Sequence, residues 1–164
     1  LYNTFDTQIV ENIISRQRKA LKQAKLQRLE ELPQVLIIVD DFADDAKVAR
    51  GDVLKTLFVR GRHSGISTLV MTQKVRLIQP VVRVNASFYI VFRLKSYQDL
   101  SSIVEEMSAL VPLKTVRALY DYATAKPYSF LYVNLQAKDL QTTFYRNFES
   151  RLVVNNNSQT PIDP

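Results

Sequence analysis

The sequence contains no cysteine and only one histidine, His63, among its 164 residues. The absence of cysteine excludes disulfides and thiolate metal sites. One histidine argues against a histidine metal cluster and against a Ser-His catalytic triad within the chain. No apolar run reaches the roughly 18 residues of a membrane-spanning helix, so we expect no membrane span.

Acidic residues are also missing from a long internal stretch, since no Asp or Glu occurs between Val53 and Gln98. The basic residues of this stretch are Lys55, Arg60, Arg62, Lys74, Arg76, Arg83, Arg93 and Lys95. The whole chain carries a net charge of +6. Such an unopposed field suits an anionic partner, either nucleotide phosphates or a nucleic-acid backbone, although solvated surface lysines and arginines are the simpler explanation.

The most informative segment that is present runs from Pro33 to Asp41, five aliphatic residues followed by two aspartates. A continuous apolar run is typical of a parallel strand buried on both faces. Ligands of parallel α/β sheets bind at the carboxyl ends of the strands, where Asp40 and Asp41 would emerge. Carboxylates there can hold Mg²⁺ through water and orient an attacking water, or they can simply cap the next helix.

The remaining pattern predicts an α/β fold. Helices are predicted over residues 7–32, from Ala46 or Asp52 to Arg60, over 97–110 and over 113–124, and strands over 35–39, 66–72, 88–92, 128–135 and 142–145. This order indicates a parallel sheet, with the last two strands paired at its edge. Gln73 then follows the strand next to the one that ends at Asp40. A glutamine there can contact a γ-phosphate and a water, or satisfy a nearby loop.

The first predicted helix is amphipathic. Its apolar face contains Ile9, Ile13, Ile14, Ala20, Leu21 and Ala24, and its other face contains Arg16, Arg18, Lys19, Lys22 and Lys25. The basic face can lie along DNA phosphates or be merely solvated.

Four elements in order carry a family resemblance. They are the apolar strand ending in Asp40-Asp41, the Arg-Gly-Arg-His-Ser-Gly-Ile-Ser run of residues 60–67, the Val-Met-Thr-Gln run of 70–73, and the Pro-x-x-Arg-x-Asn run of 80–85. Together they resemble the FtsK–HerA superfamily, and most of all the genome-packaging ATPases of large double-stranded DNA viruses of the poxvirus type.

The resemblance implies an ATP-driven motor that moves double-stranded DNA through a homo-oligomeric ring, into a capsid through its portal, in the virion or at the assembly site in the host cytoplasm. Asp40 then corresponds to the Walker B aspartate that holds Mg²⁺, and Asp41 to the catalytic carboxylate. Gln73 corresponds to the sensor. Arg62 is the candidate finger for a neighbouring subunit's γ-phosphate, with Arg60 and Arg83 as rivals.

One departure from this family is large, because the phosphate cradle Gly-x-x-x-x-Gly-Lys-Ser/Thr is absent from the sequence. The implied fold is therefore a partial RecA-like three-layer sandwich, with a mainly parallel sheet that lacks the Walker A strand and loop. In the family the missing strand lies between the strands that precede Gln73 and Leu94. We expect a basic helix or linker over 1–32, the ATPase core over 33–148, and a polar, disordered tail over 149–164.

Other functions stay open at this point. A cellular or conjugative DNA translocase would use the same residues with a different partner. A non-catalytic nucleic-acid-binding domain would explain the acid-free stretch and the missing cradle, although paired aspartates repel phosphate unless a metal intervenes. A P-loop kinase or another metabolic nucleotide enzyme is a further alternative, and it would need neither Arg62 in trans nor a basic helix face.

Overall fold

A computed structural model describes residues 5–41 and 51–154. The chain divides between Asn85 and Ala86 into two compact units. The sequence predicts one core over 33–148, so the division falls inside that span. The predicted helical start at Ala46 lies outside the described residues.

The first helix, α1, spans Thr7–Leu26. Its N-cap is Asp6, whose carboxylate accepts a hydrogen bond from the Gln8 amide at 2.8 Å. The prediction that it continues to Leu32 is wrong. The Leu29 amide donates to the Ala24 carbonyl and the Arg28 amide to the Lys25 carbonyl, a Schellman-type ending with Arg28 at φ 54°. Because an arginine takes the position that glycine usually fills, no local sequence signal marks this ending.

The first unit contains one parallel strand pair. Strands β1, Val35–Asp40, and β2, Ile66–Met71, are joined through helix α2, Asp52–Arg60, and the register runs from Val35 opposite Ile66 to Asp40 opposite Met71. One face of the pair packs on helices α1 and α2, and the buried residues of that core are Val10, Ile14, Val53, Leu57 and Ile66. The short helix α3, Pro80–Val84, closes a second small core through Val82.

The prediction that β1 is buried on both faces is wrong. Leu36 is 61% exposed and Ile38 is 55% exposed, while Val39 between Ile38 and Asp40 is buried. Alternate residues of a strand point to opposite faces, so one face of β1 is covered and the other is open. A continuous apolar run cannot report this difference, because both faces carry aliphatic side chains.

A tight turn leads into β2. Residues Gly61–Ser64 form one turn of 3₁₀-helix, and Gly65 ends it at φ 61°, a left-handed conformation that glycine adopts without a steric penalty. A side chain at Gly65 would also meet the Pro33 carbonyl oxygen at 3.1 Å. The sequence predicts this loop between its two glycines, and the structure confirms it.

The second unit is an antiparallel sheet with two helices. Strand β3, Phe88–Phe92, is followed by helices α4, Tyr97–Met107, and α5, Leu113–Ala123. Strands β4, Phe130–Asn134, β5, Phe144–Arg146, and β6, Ser150–Arg151, complete the order β3-β4-β5-β6. The predicted pairing of the strands over 128–135 and 142–145 is confirmed.

The prediction of a mainly parallel sheet is wrong for the described residues. Among them, β1 and β2 form the one parallel strand pair, and the three strand pairs of the second sheet are antiparallel. The fold is mixed α/β, and its parallel part is confined to the first unit. The prediction rested on element order, and the two consecutive helices between β3 and β4 return the chain in the opposite direction.

The second sheet also has one covered and one open face. Its covered side includes Leu131, Val133 and Phe144, which are fully buried. Its other side carries aromatic rings in mutual contact, with Phe92 and Phe130 centroids 5.1 Å apart and Phe130 and Phe148 centroids 5.0 Å apart. Strand β6 and the fully buried Leu152 lie within the stretch that the sequence assigns to the tail. The tail beyond Val154 lies outside the described residues.

Thr68 offers a test of the packing around β2. Its hydroxyl is buried and has no hydrogen-bond partner among the described residues. We expect Thr68→Val, which keeps the branched shape, to raise the free energy of unfolding by about 1 kcal/mol in urea denaturation.

The matched control is Thr124→Val. The Thr124 hydroxyl is buried and donates to the Tyr120 carbonyl oxygen at 2.8 Å, so this change should lower stability by about 1 kcal/mol. A loss of stability in Thr68→Val would contradict the assignment of an unsatisfied hydroxyl.

Candidate functional site

The carboxyl ends of β1 and β2 lie side by side. Asp40, the last residue of β1, is opposite Met71, the last residue of β2. The Asp41 amide donates to the Met71 carbonyl oxygen at 3.1 Å, which extends the pairing one residue beyond β1. Gln73 follows two residues after Met71. The structure therefore brings the two carboxylates and the amide to one edge of the parallel pair.

Asp41 has an unusual backbone conformation, with φ at 54°. Non-glycine residues rarely adopt this left-handed region, although aspartate tolerates it better than most. Such conformations cluster at functional sites, where the surrounding structure holds them in place. Here the bond from the Asp41 amide to Met71 fixes the peptide that turns the chain out of the sheet. The backbone of Asp41, the residue that the family resemblance implies is catalytic, is therefore held at a turn directly beyond the paired strands.

The turn after β2 is fixed in a similar way. The Thr72 hydroxyl oxygen accepts a hydrogen bond from the Lys74 amide at 3.0 Å. This local bond spans Gln73 and holds its backbone in a defined turn. Gln73 itself is exposed, as are Asp40 and Asp41. All three side chains can therefore meet a ligand from solvent.

The side-chain oxygen atoms at this edge suit a hard cation that also binds phosphate oxygens. Among residues 5–41 and 51–154, no group of three or more His, Cys, Asp or Glu residues could hold a metal ion by itself. Mg²⁺ is commonly bound by one or two carboxylates together with waters and substrate phosphates. The Asp40-Asp41 pair fits this second mode, in which a bound nucleotide supplies the other oxygen ligands.

Arg62 lies at the other end of the strands. It is exposed in the turn that precedes β2, while Asp40 is the last residue of β1 and Gln73 follows the carboxyl end of β2. A six-residue strand is roughly 20 Å long, so Arg62 is too far away to act on a nucleotide at its own carboxyl edge. His63 and Arg60 are exposed in the same part of the chain.

Arg83 has a structural contact that the sequence did not predict. Its guanidinium donates to the Ile78 carbonyl oxygen at 2.6 Å, within the turn that leads to helix α3. The Asn85 side chain donates to the Val81 carbonyl oxygen at 2.8 Å and supports the same helix. The Arg-x-Asn run thus stabilises α3, and a catalytic role for Arg83 stays a prediction.

Sequence reasoning missed two buried polar side chains near the Arg62 turn, those of Gln17 and Ser64. A signal existed for Gln17, because it follows Ile14 by three residues and precedes Leu21 by four, within the apolar stripe of α1. A polar residue at such a position needs a hydrogen-bond partner. No comparable pattern marks Ser64.

Comparison with solved structures identifies the fold. The chain matches the genome packaging NTPase B204 of Sulfolobus turreted icosahedral virus 2 in complex with AMP, with a TM-score of 0.59, 16% identity, and coverage of 89% of this chain and 64% of that one. The same NTPase in complex with ATP-γS matches with a TM-score of 0.54 and 15% identity, over 89% of this chain and 72% of that one. The chain therefore shares the mixed α/β fold of this packaging NTPase.

A match to a protein-family model identifies the family to which the chain belongs. The model of the Poxvirus A32 protein family matches residues 3–126, and the chain belongs to this family. The resemblance to the poxvirus type of packaging protein is thereby confirmed. The match includes the Asp40-Asp41 pair, Gln73 and Arg62.

Curated relatives are longer than this chain. The uncharacterized protein 075L of Invertebrate iridescent virus 6 is 24% identical over 139 residues, which are 85% of this chain and 52% of that protein. The uncharacterized protein 015R of Frog virus 3 is 26% identical over 123 residues, which are 71% of this chain and 37% of that protein. The chain thus spans about half or less of the relatives that it matches. Within the described residues, no helix has the length and apolarity that crossing a membrane requires.

The missing cradle leads to a binding prediction. The 164-residue chain alone should show no measurable ATP binding in isothermal titration calorimetry, because carboxylates without a phosphate cradle repel the triphosphate. A longer form that includes an upstream cradle serves as the positive control. Micromolar affinity of the chain alone would contradict the prediction.

Proposed function

We propose that the chain is part of an ATPase that moves double-stranded DNA during viral genome packaging. The observation that carries the proposal is the carboxyl edge of β1 and β2, where Asp40, Asp41 and Gln73 emerge together. Membership of the Poxvirus A32 protein family and a fold shared with a packaging NTPase that was solved with AMP and ATP-γS support it.

Each residue of this edge has a distinct task in the proposal. Asp40 continues the ladder opposite Met71, and it holds Mg²⁺ through water. Asp41, turned out of the sheet at φ 54°, orients the attacking water. Gln73 donates to the γ-phosphate and accepts from that water. Mg²⁺ held by Asp40 would supply positive charge opposite the phosphate oxygens.

The phosphate cradle and the third layer belong, in this proposal, to sequence upstream of the chain. Strand β2 pairs with β1 and β3 pairs with β4, and in the described part of the chain neither has a second partner. In the proposal, upstream sequence supplies the missing strand that the family resemblance implies.

Arg62 acts in trans in this proposal. It lies at the amino edge, roughly a strand length from the Asp40 edge of its own subunit. A ring of identical subunits can bring the amino edge of one subunit to the carboxyl edge of the next. Arg62 would then stabilise charge on the neighbour's γ-phosphate, and the ring would enclose DNA and dock on a capsid portal.

The catalytic carboxylate is tested by Asp41→Asn in the whole protein. This change keeps the size of the side chain and removes its charge. We expect ATP hydrolysis to fall by at least about 100-fold while ATP binding is largely kept, because a general base contributes about 10² to 10⁴ in rate.

The control for that experiment is Asp121→Asn. Asp121 is an exposed aspartate on α5, paired with Arg117 at 3.1 Å, so its loss should leave turnover unchanged. Normal hydrolysis in Asp41→Asn would remove Asp41 from the catalytic role.

Action in trans is tested by mixing variants. Arg62→Ala subunits should be inactive alone, with a loss of about 10³ or more, and partly rescued by Asp41→Asn subunits. Each type supplies the group that the other lacks, so mixed rings contain some complete sites. Lys114→Ala, which removes an exposed cation on α5, should need no rescue. Failure of rescue at every mixing ratio would exclude the trans role.

A further inference from the structure

Helix α1 contacts the turn that carries Arg62. The Arg18 guanidinium Nε donates to the Ser64 hydroxyl oxygen at 3.2 Å. Ser64 is 5% exposed, so this contact lies beneath the turn. A single side chain of α1 thus joins the helix to the residue two positions after Arg62.

A second contact joins the same helix to the starts of both strands. Gln17 is 6% exposed, and its side-chain amide donates to the Pro33 carbonyl oxygen at 2.6 Å. Gly65 packs against this pair, because a Cβ there would lie 3.2 Å from Gln17 Nε2. The Val35 amide donates to the Gly65 carbonyl oxygen at 3.0 Å and begins the parallel pairing.

These hydrogen bonds fix the backbone of the turn that contains Arg62. The Gly65 amide donates to the Arg62 carbonyl oxygen at 3.1 Å, so the turn is closed on itself. Helix α1 contacts Ser64 and Gly65 on the buried side of the turn, while the side chains of Arg62 and His63 are exposed to solvent. An exposed arginine on a fixed turn has a restricted reach, which suits a residue that must meet a target on another molecule.

Helix α1 can cover the apolar core of the first unit without these polar contacts. Val10, Ile14, Leu21 and Ala24 already bury the apolar face of the helix. An aliphatic residue in place of Gln17 would bury the stripe without the cost of desolvating an amide. The polar residue at this position is explained by its bond to Pro33, which orients the helix with respect to the turn.

We propose that Gln17 and Arg18 are positioning residues that hold the Gly61–Gly65 turn and thereby aim Arg62 at its target. The proposal rests on the role of Arg62 in trans and adds to it the residues that set its geometry. A displacement of about 1 Å in a catalytic group can cost up to about 10² in rate, which sets the expected size of the effect.

The test uses Arg18→Met and Gln17→Met in the whole protein, with Gln23→Met as the matched control. Methionine matches the length of glutamine, reaches the position of Nε in arginine, and removes the donors of both. Gln23 is an exposed glutamine on the same helix. We expect both test variants to lose roughly tenfold to 100-fold in kcat with the KM for ATP unchanged. The control should match the wild type. If Gln17→Met fails to fold, Arg18→Met, altered at an exposed side chain, decides the test.

A double variant separates positioning from general structural damage. If Arg18 acts through Arg62, then Arg18→Met combined with Arg62→Ala should be no slower than Arg62→Ala alone. Additive losses would indicate an independent role and overturn the proposal. Arg18→Met should also be rescued by Asp41→Asn subunits, as Arg62→Ala is.

The two levels of the argument fail in different ways. Full turnover in Arg62→Ala would overturn the trans role of Arg62, and positioning with it. Loss of turnover in Arg62→Ala, with Arg18→Met and Gln17→Met at the rate of Gln23→Met, would overturn the positioning proposal alone.

Discussion

The parallel pairing of β1 and β2 is the constraint on which the rest of the first unit depends. It starts where the Val35 amide meets the Gly65 carbonyl and continues past the sheet to the bond from Asp41 to Met71. Because the strands run in the same direction, their carboxyl ends share one edge of the pair and their amino ends share the other. Carboxylates and an amide collect at one edge, and a cation on a fixed turn stands at the other. The geometry of the candidate site follows from strand direction and register more than from any single side-chain contact.

Much of this arrangement could be predicted from the sequence because its local signals agree. The apolar run before Asp40-Asp41 marks a strand and its end, and glycines at 61 and 65 mark the turn. The Ser96 hydroxyl caps α4 by accepting a hydrogen bond from the amide of Asp99, three residues further along, at 3.2 Å. In each case the residues that form the feature are close together in the chain, so a short pattern is sufficient.

Most of the features that could not be predicted depend on partners distant in sequence. The direction of β3 is set by its pairing with β4, and the apolar run Phe88–Phe92 is equally suited to either direction. The open face of β1 depends on which elements lie over it. Gln17 bonds to Pro33 across 16 residues, and Arg18 to Ser64 across 46. No local periodicity encodes such contacts, and only the polar interruption of the α1 stripe points to one of them.

In the proposed assembly, the distance between the two edges has a mechanical consequence. A subunit that cannot bring Arg62 to its own nucleotide depends on the next subunit to complete its site. The rate of hydrolysis then depends on how neighbouring subunits are placed. Helix α1 then belongs to that linkage, since Arg18 bonds to Ser64 in the turn that contains Arg62 and Gln17 bonds to Pro33 next to it. Any load that shifts α1 relative to the strands would move Arg62 and change the rate at the adjacent site. In the proposed ring, the polar contacts beneath this turn would couple the position of α1 to ATP hydrolysis in the neighbouring subunit.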